Sequence, residues 1–206
     1  MRILRYGAHA LLVECADPDE VAALRAELLR RREQGLLPAF DDLVPAERTV
    51  LIDGLDDPAP LAGEIAGWDL PDPAAAAGSL VRLDVRYDGP DLAEVARAWR
   101  MTPDEAAALH SGLEYRVAFC GFAPGFAYLT GLPPQYHLPR RPTPRTAVPA
   151  GSVAVAGPYT GVYPRLSPGG WHLIGTTGAR LWDLSRSDPA LLTPGTRVVF
   201  TPQSRG

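Results

Sequence analysis

The sequence predicts a mainly β fold with a small α+β domain in front of it, and three observations support this prediction. The 206 residues, 46% hydrophobic and 21% charged, have the composition of an ordinary globular protein with room for one large or two small domains. Beyond residue 80, apolar and polar residues alternate in short segments that Gly and Pro interrupt, which is typical of a β-barrel or sandwich. The stretch "DLPDPAAAAGS", residues 69–79, has the composition of a linker. We therefore expect a small α+β domain at residues 1–75 and a β-barrel domain, carrying the functional site, at residues 80–206.

The first domain is predicted to contain strands at "RILRY", "ALLVEC" and "RTVLID". The segment "DPDEVAALRAELLRRREQG" has the pattern of a helix, because Asp17 can cap it, Glu20 stands at the capping-box position and Gly35 suits its end. Leu24 and Leu28 belong to one apolar stripe of this helix. A second, shorter helix is predicted at "LAGEIAGW".

The second domain begins with "LVRLDVRYDG", a predicted strand with Leu83 and Val85 on one face and Arg82 and Asp84 on the other. Two short helices are predicted near "DLAEVARAWR" and "TPDEAAALH", the second capped by Thr102. Further strands are predicted at "EYRVAFC", "SVAVAG", "GVYP", "WHLIGT" and "TRVVFTP".

The charge distribution points to anions as ligands. All twenty basic residues are Arg, and the net charge is −4. From Tyr115 to Trp182 there is no Asp or Glu but there are six Arg, so this stretch carries +6 and the rest of the chain −10. Guanidinium groups match carboxylate and phosphate geometry, which predicts a surface that receives an anionic small molecule. The alternative is that these Arg side chains pair with carboxylates from elsewhere in the fold.

Several functional classes are disfavoured by the sequence. The acidic chain has no basic tail or nucleic-acid-binding motif, so we expect no nucleic-acid partner. No apolar run approaches the roughly 18 residues of a membrane span, and the N-terminal residues do not have the pattern of a secretory signal. Two cysteines form no disulfide framework, so we expect a cytoplasmic protein. The four His residues are scattered, and the phosphate-loop, dinucleotide and zinc motifs are missing, so we predict no metal site.

Three stiff, glycine- and proline-rich segments are candidates for a binding cleft. They are "FCGFAPGFAYLTGLP" at 119–133, "PRRPTPRTAVPAGSV" at 139–153 and "SPGGW" at 167–171. Proline restricts the backbone, and glycine lets another molecule come close to the main chain. Each segment alone could be only a rigid turn, but all three lie in the acid-free stretch. His110, at a predicted helix end, is a candidate catalytic residue, although such a histidine often interacts only with nearby carbonyls.

The same segments closely resemble the KipI/PxpB family, also called allophanate hydrolase subunit 1. The matching motifs are "YRVAFCGFAPGFAYLTGLP", "LPRRPTPRTAVPAGSVAVAG", "TGVYP" and "SPGGWHLIGTT", and the resemblance extends from about Leu80 to Pro202. It implies a cyclophilin-like β-barrel behind a small, ferredoxin-like α+β domain. It also implies the B subunit of a bacterial 5-oxoprolinase, which works with subunits A and C to open 5-oxoproline to L-glutamate using ATP, with Mg²⁺ expected in the complex. One departure is Tyr159 in "GPYTG", where the family is expected to have Gln.

From its position at a predicted helix end, we predict His110 as a catalytic residue of an enzyme that is inactive without its partners. The predicted substrate-binding residues are Phe122, Pro124, Gly125, Arg145, Ser152, Thr160, Tyr163, Ser167, Gly169 and Trp171. Arg145 has no acid within thirty positions on either side, so we expect it to bind an anionic group of the substrate rather than a structural carboxylate. The alternative function is that of a non-enzymatic, KipI-like inhibitor that binds a histidine sensor kinase.

Overall fold

The structure, a computed structural model, describes residues 1–70 and 78–203. The chain separates into two compact units, Met1–Ala77 and Gly78–Gly206. Most of the predicted linker at 69–79 lies outside the described residues. In the part of the chain that is described, no helix is long and apolar enough to cross a membrane.

Unit 1 contains a four-stranded antiparallel sheet and two helices. Its elements are β1 (Arg2–Tyr6), β2 (Ala10–Glu14), α1 (Pro18–Glu33), β3 (Asp42–Pro45), β4 (Thr49–Asp53) and α2 (Pro58–Ile65), with the strand order β1-β2-β4-β3. The predicted cap of α1 is confirmed, because the Asp17 side chain accepts a hydrogen bond from the Glu20 amide at 2.8 Å. Leu24 and Leu28 are buried, as their apolar stripe predicts. The short strand β3 was missed by the sequence prediction.

The ferredoxin-like prediction for unit 1 is not confirmed. A ferredoxin-like chain runs β-α-β-β-α-β, whereas this unit runs β-β-α-β-β-α. Moving β1 to the end of the unit would restore the ferredoxin-like order of elements. The difference therefore lies in which end of the unit supplies that edge strand, and hydrophobic periodicity carries no information about this.

Unit 2 is mainly β. Its elements are β5 (Leu80–Val85), α3 (Leu92–Ala98), α4 (Pro103–Ser111), β6 (Glu114–Cys120), β7 (Ala127–Thr130), a 3₁₀ turn (Pro134–Tyr136), β8 (Arg145–Val148), β9 (Ser152–Ala156), β10 (Tyr159–Val162), β11 (Ser167–Gly169), β12 (His172–Thr176) and β13 (Arg197–Pro202). Seven strands form one sheet in the order β12-β9-β10-β7-β6-β13-β5, and β8 pairs with β11 in a separate ribbon. The predicted cap of α4 is confirmed by a full capping box between Thr102 and Glu105.

The seven-stranded sheet is nearly closed. Arg86, just after β5, forms an antiparallel bridge with Thr176 at the end of β12. Their amides donate to each other's carbonyls at 2.9 and 2.8 Å. This bridge joins the two outer strands of the sheet, so the prediction of a mainly β, barrel-like domain is confirmed. Its cyclophilin-like character stays a prediction.

Strand β9 explains how a second apolar layer forms outside the barrel. Val153 and Val155 belong to the large core enclosed by the sheet, while Ala154 and Ala156 pack into a separate aromatic cluster. Successive side chains of a strand point to opposite faces, so β9 is covered on both sides and all five of its residues are buried. The candidate functional site lies around this outer aromatic cluster.

Candidate functional site

The loop between β6 and β7 has an unusual backbone at Phe122. The Ala123 amide donates to the Gly121 carbonyl at 2.7 Å across Phe122, whose φ is +66°. A turn with this i→i+2 bond and a positive φ at its centre is a rare and strained form of γ-turn. Phe122 is 57% exposed, so burial of its side chain does not offset this strain in the chain alone. Strain of this kind is concentrated at functional sites.

The ring of Phe122 joins the loop to the outer aromatic cluster. Its centroid lies 5.3 Å from that of Phe126 and 6.3 Å from that of Tyr163. Phe126 in turn contacts Tyr163 and Trp171, with centroids 5.4 and 5.5 Å apart. Tyr163 lies directly over the 167–171 turn, because a Cβ on Gly169 would overlap its hydroxyl. The two glycine-rich turns therefore lie at the same end of the barrel.

Pro124 and Gly125 line a hollow on the other side of this loop. Its volume is about 430 Å³, and it is bounded by residues 120–125 together with Trp182, Ala190 and Leu192. Gly125 has a φ of +82°, and a Cβ there would press against the backbone of Leu181. Only glycine fits this position without strain.

A buried carboxylate, Asp91, organises the arginines of the 139–153 segment. Its Oδ1 accepts from Arg145 Nη2 at 2.7 Å and from Arg141 Nη1 at 3.0 Å, and its Oδ2 accepts from the Leu173 amide at 2.7 Å. Asp91 is the N-cap residue of α3 but makes no side-chain cap bond there, because its carboxylate is used by these three donors. Burial alone would raise the pKa of Asp91, but the hydrogen bonds from Arg145 and Leu173 outweigh it and lower the pKa.

The expectation that Arg145 is free of structural carboxylates is therefore wrong. Asp91 lies 54 positions away in sequence, and the fold brings it to Arg145 through α3 and β12. The segment from Tyr115 to Trp182 has no acidic residue in sequence, but the fold brings Asp91 into contact with it. Among the described residues, however, Arg145 Nη1 is buried with no hydrogen-bond partner, and the same holds for Arg141 Nε and His172 Nδ1. Asp91 thus uses only part of the donor capacity of this cluster.

Arg145 also lies close to the aromatic cluster. It pairs with Gly169 across the β8–β11 ribbon. Burial raises the pKa of the Tyr163 hydroxyl, and the positive charges of Arg140 and Arg145, with a bond to the Trp171 backbone, oppose that rise. The predicted residues Phe122, Tyr163, Gly169, Trp171 and Arg145 are thus neighbours, as the motif clustering predicts.

His110 does not belong to this group. It is fully buried inside the barrel, where Nδ1 is 2.8 Å from the Tyr87 hydroxyl and Nε2 is 3.2 Å from the Thr160 hydroxyl. Burial lowers its pKa to about 3, so the ring is neutral near pH 7. Since both ring nitrogens are engaged and the side chain has no exposed surface, the geometry does not support the predicted catalytic role. His110 is a histidine of the core.

Three other predicted binding residues form internal hydrogen bonds. Thr160 has no exposed surface and contacts His110. The Ser152 hydroxyl donates to the Pro149 carbonyl at 2.8 Å, and the Ser167 hydroxyl donates to the Arg165 carbonyl at 3.1 Å. The structure does not bring these three hydroxyls into the group around Phe122. Tyr159, at the departure from the family pattern, is 8% exposed and packs on Phe119 and Tyr128 in the aromatic cluster.

The sequence prediction missed the residues that hold the arginines in place. Asp91, Glu94 and Arg141 form one cluster, and His172 Nδ1 lies 4.0 Å from Glu94. The only signal for Asp91 in the sequence is that of a helix cap after "GP", which predicts a different hydrogen bond. Trp182, on the wall of the hollow, was also missed because it lies beyond the three motifs.

Comparison with known proteins decides the family. The model of the carboxyltransferase domain, subdomain C and D, matches residues 1–192. The chain belongs to this carboxyltransferase family.

The resemblance to the KipI/PxpB family is confirmed by relatives that are named as the B subunit of 5-oxoprolinase. The protein of that name from Escherichia coli O157:H7 is 54% identical over 118 residues, which cover 57% of this chain and 54% of the relative. The Bacillus subtilis protein is 44% identical over 124 residues, covering 59% of this chain and 52% of the relative. The matched part thus spans about half the length of these curated relatives.

Solved structures of similar proteins share the fold of this chain. TTHA0988 is 37% identical with a TM-score of 0.77, and the match covers 97% of this chain but 41% of TTHA0988. PH0987 from Pyrococcus horikoshii is 31% identical with a TM-score of 0.59, and 98% of both chains is covered. The urea amidolyase of K. lactis, at 18% identity and a TM-score of 0.68, shares the fold over 98% of this chain and 15% of its own.

Proposed function

We propose that this chain is the B subunit of an ATP-dependent 5-oxoprolinase, a cytoplasmic complex with subunits A and C that opens 5-oxoproline to L-glutamate. The observation that carries the proposal is the 44–54% identity to three relatives that bear the name of this subunit. The assembly of the family's motifs at one end of the barrel supports it. The alternative of a kinase inhibitor has no observation in its favour beyond the family resemblance.

The group around Phe122 suits the substrate of this reaction. 5-Oxoproline combines a compact lactam ring, which has an apolar edge of carbon atoms beside its amide, with a carboxylate. In the proposal, the aromatic surface at Phe122 contacts the ring, while the Arg145 side chain, which is 26% exposed, supplies positive charge for the carboxylate or for a phosphorylated intermediate. The permanent positive charge of the guanidinium group favours such an anion over a neutral ligand.

The carboxylates of the described residues nearest this cleft serve to hold arginines. The carboxylates of Asp91 and Glu94 are both paired with arginine, and a lowered pKa makes Asp91 a weak base. The described residues contain no group of three or more His, Cys, Asp or Glu that could hold a metal ion. In the proposal, a partner subunit supplies the general base.

The test is to reconstitute the chain with subunits A and C of the same organism and to follow glutamate and ADP release from 5-oxoproline. We expect turnover only when all three proteins and ATP are present. Mixtures lacking one of the three are the controls. Glutamate release at the same rate without this chain, or none from the complete mixture, would refute the proposal.

A further inference from the structure

His172, the first residue of β12, is a buried titratable group that the proposed function does not use. Its side chain is 10% exposed, and Nε2 lies 2.9 Å from the Pro139 carbonyl. A carbonyl oxygen can only accept, so Nε2 carries a hydrogen and donates it. In a neutral ring with this hydrogen, Nδ1 has a lone pair and no hydrogen. Nδ1 is buried and, among the described residues, has no hydrogen-bond partner.

The group that faces Nδ1 is the carboxylate of Glu94, whose Oε1 lies 4.0 Å away. In the neutral ring, the lone pair of Nδ1 and this negatively charged oxygen repel each other, which explains why no hydrogen bond forms. A proton on Nδ1 makes the same contact attractive, because the ring becomes a cation with a donor on each nitrogen. The Glu94 side chain is 56% exposed, so it can turn towards the ring without disturbing the core.

Glu94 connects His172 to the two arginines of the cluster. While Glu94 Oε1 faces His172, its Oε2 accepts from Arg141 Nη1 at 3.1 Å. The same Nη1 atom donates at 3.0 Å to Asp91, whose Oδ1 also accepts from Arg145. A cation at His172 therefore acts on the positions of both arginines through two carboxylates.

The charged groups around His172 come from two of the elements that pack against it. They are the acids at the start of α3 and the bases in and just before β8, namely Asp91, Glu94, Arg141 and Arg145. On β9, the residue that pairs with His172 is the apolar Val155. Asp91 is already bonded to both guanidinium groups, which leaves Glu94 Oε1 as the acceptor for a proton on Nδ1.

We propose that His172 is a positioning residue that acts in its protonated form, donating from Nε2 to Pro139 and from Nδ1 to Glu94; its effect on the substrate rests on the proposed function. An anion bound at Arg145 favours a positive charge on the nearby ring. The charged ring in turn favours the anion, because the coupling between two binding sites is reciprocal. Binding of the substrate is therefore accompanied by uptake of a proton from solvent at His172, and it weakens as the pH rises and the ring loses that proton.

The first experiment follows the four His rings of the full chain by NMR as the pH is raised, and the His172 signal is the one missing from His172→Gln. In Glu94→Gln this signal should change from the protonated to the neutral position at a pH lower than in the wild type by about 0.5 unit or more, because the negative charge beside Nδ1 is removed. The control is Glu114→Gln, which removes a carboxylate that pairs with Arg197 and should leave the His172 signal unchanged. Equal midpoints in the wild type and Glu94→Gln would refute the proposal whatever the activity of the complex.

The second experiment measures KM and kcat for 5-oxoproline in the reconstituted mixture between about pH 6 and about pH 8. With the wild type, we expect KM to rise about threefold or more over this range. His172→Gln keeps a donor for the Pro139 carbonyl but cannot take up a proton, so its KM should rise clearly less. His137→Gln is the matched control, because His137 Nε2 likewise lies 2.9 Å from a carbonyl, that of Leu132, and this variant should keep the wild-type rise in KM.

The outcomes separate this proposal from the proposed function. If KM rises with pH in His172→Gln as it does in the wild type, His172 only holds the Pro139 carbonyl and the proposal is refuted. If the complete mixture releases no glutamate from 5-oxoproline at any pH, the proposed function is refuted. The NMR comparison of the wild type with Glu94→Gln then decides by itself whether the charged contact between His172 and Glu94 exists.

Discussion

Asp91 and Arg145 are 54 positions apart in sequence, yet Asp91 Oδ1 accepts a hydrogen bond from Arg145 Nη2 at 2.7 Å. This pair connects the start of α3 to strand β8, and the bond from the Leu173 amide extends the connection to β12. The arginine that we propose for substrate binding is therefore held by a carboxylate that is itself anchored to the barrel. Substrate binding and the stability of the fold are therefore coupled at the Asp91–Arg145 pair.

Replacing Arg145 should affect activity more than stability. In the reconstituted mixture, Arg145→Ala should lower the rate of glutamate release roughly ten- to a hundredfold, as the loss of a charge-assisted hydrogen bond of about 1.5–3 kcal/mol implies. Arg145→Lys should recover only part of the rate, since it keeps the charge but loses the second prong. Thermal melting of the chain alone is the control. A large fall in melting temperature with activity retained in the cold would make Arg145 a purely structural residue.

Replacing Asp91 should mainly affect stability. Asp91→Ala leaves the Arg145 guanidinium and the Leu173 amide without this acceptor, while Arg141 keeps its bond to Glu94, and breaking a buried pair in this way typically costs about 3–5 kcal/mol. Urea denaturation at pH 7 measures this loss of unfolding free energy. The control is Glu114→Gln, which removes an exposed pair with Arg197 and should have a much smaller effect. Equal effects of the two variants would contradict the structural importance of Asp91.

The Asp91 carboxylate should also make the unfolding free energy of the chain depend on pH under acidic conditions. The pKa of Asp91 in the folded chain is lowered below its ordinary value of 3.8, so its stabilising contribution is present above that value and is lost as the pH falls through the folded pKa. We expect the unfolding free energy of Asp91→Asn to depend less on pH than that of the wild type below about pH 4. Urea denaturation from about pH 5 to about pH 2.5 measures the two slopes. Parallel curves would show that Asp91 does not titrate with folding.

His110 should destabilise the fold at a higher pH than Asp91 does. Its pKa in the folded chain is about 3 against an ordinary value of 6.5, so between these values the unfolded chain binds a proton that the folded chain excludes. Stability should therefore fall as the pH drops from about 6.5 towards about 3, by up to about 1.4 kcal/mol per unit from this group. His110→Asn should remove that part of the slope in urea denaturation between about pH 7 and about pH 4. His9→Asn, at an exposed position, is the matched variant. If the unfolding free energy of His110→Asn depended on pH as steeply as that of the wild type, the His110 ring would be protonated without unfolding.

Gly169 should not tolerate a side chain. A Cβ at this position would overlap the Tyr163 hydroxyl, so Gly169→Ala must displace either the β8–β11 ribbon or the aromatic cluster. Overpacking of this kind typically costs about 1–3 kcal/mol, and we expect glutamate release in the mixture to fall with it. Gly178→Ala is the control, because a Cβ there would meet no atom within 4 Å. A melting temperature for Gly169→Ala equal to that of Gly178→Ala would contradict the close packing at Tyr163.

Local patterns in the sequence predicted most of the secondary structure, because caps and alternation act over a few residues. The Asp17 and Thr102 caps and the alternation of β5 were found in this way. The grouping of Phe122, Tyr163 and Trp171 was also predicted, since their motifs lie within one stretch of chain. The partner of Arg145 could not be predicted, because Asp91 reaches it only through the closed sheet. The burial of His110 could not be predicted, because a helix end looks the same in sequence whether it faces solvent or the barrel interior.

The pairing of β5 with β13 has a consequence for how unit 2 acquires its structure. Leu80 pairs with Arg197 in a parallel ladder, so the first and last strands of the sheet are direct neighbours although they lie far apart in sequence. At translation rates of about 5–20 residues per second, β5 emerges on the order of 5–20 s before its partner strand. Until then β5 lacks β13, its neighbour in the sheet, and the core around Leu83 and Val85 lacks Val198 and Phe200. The barrel can therefore close only after β13 is synthesised. We expect it to fold slowly, because the pairing of β5 with β13 joins segments that are far apart in sequence.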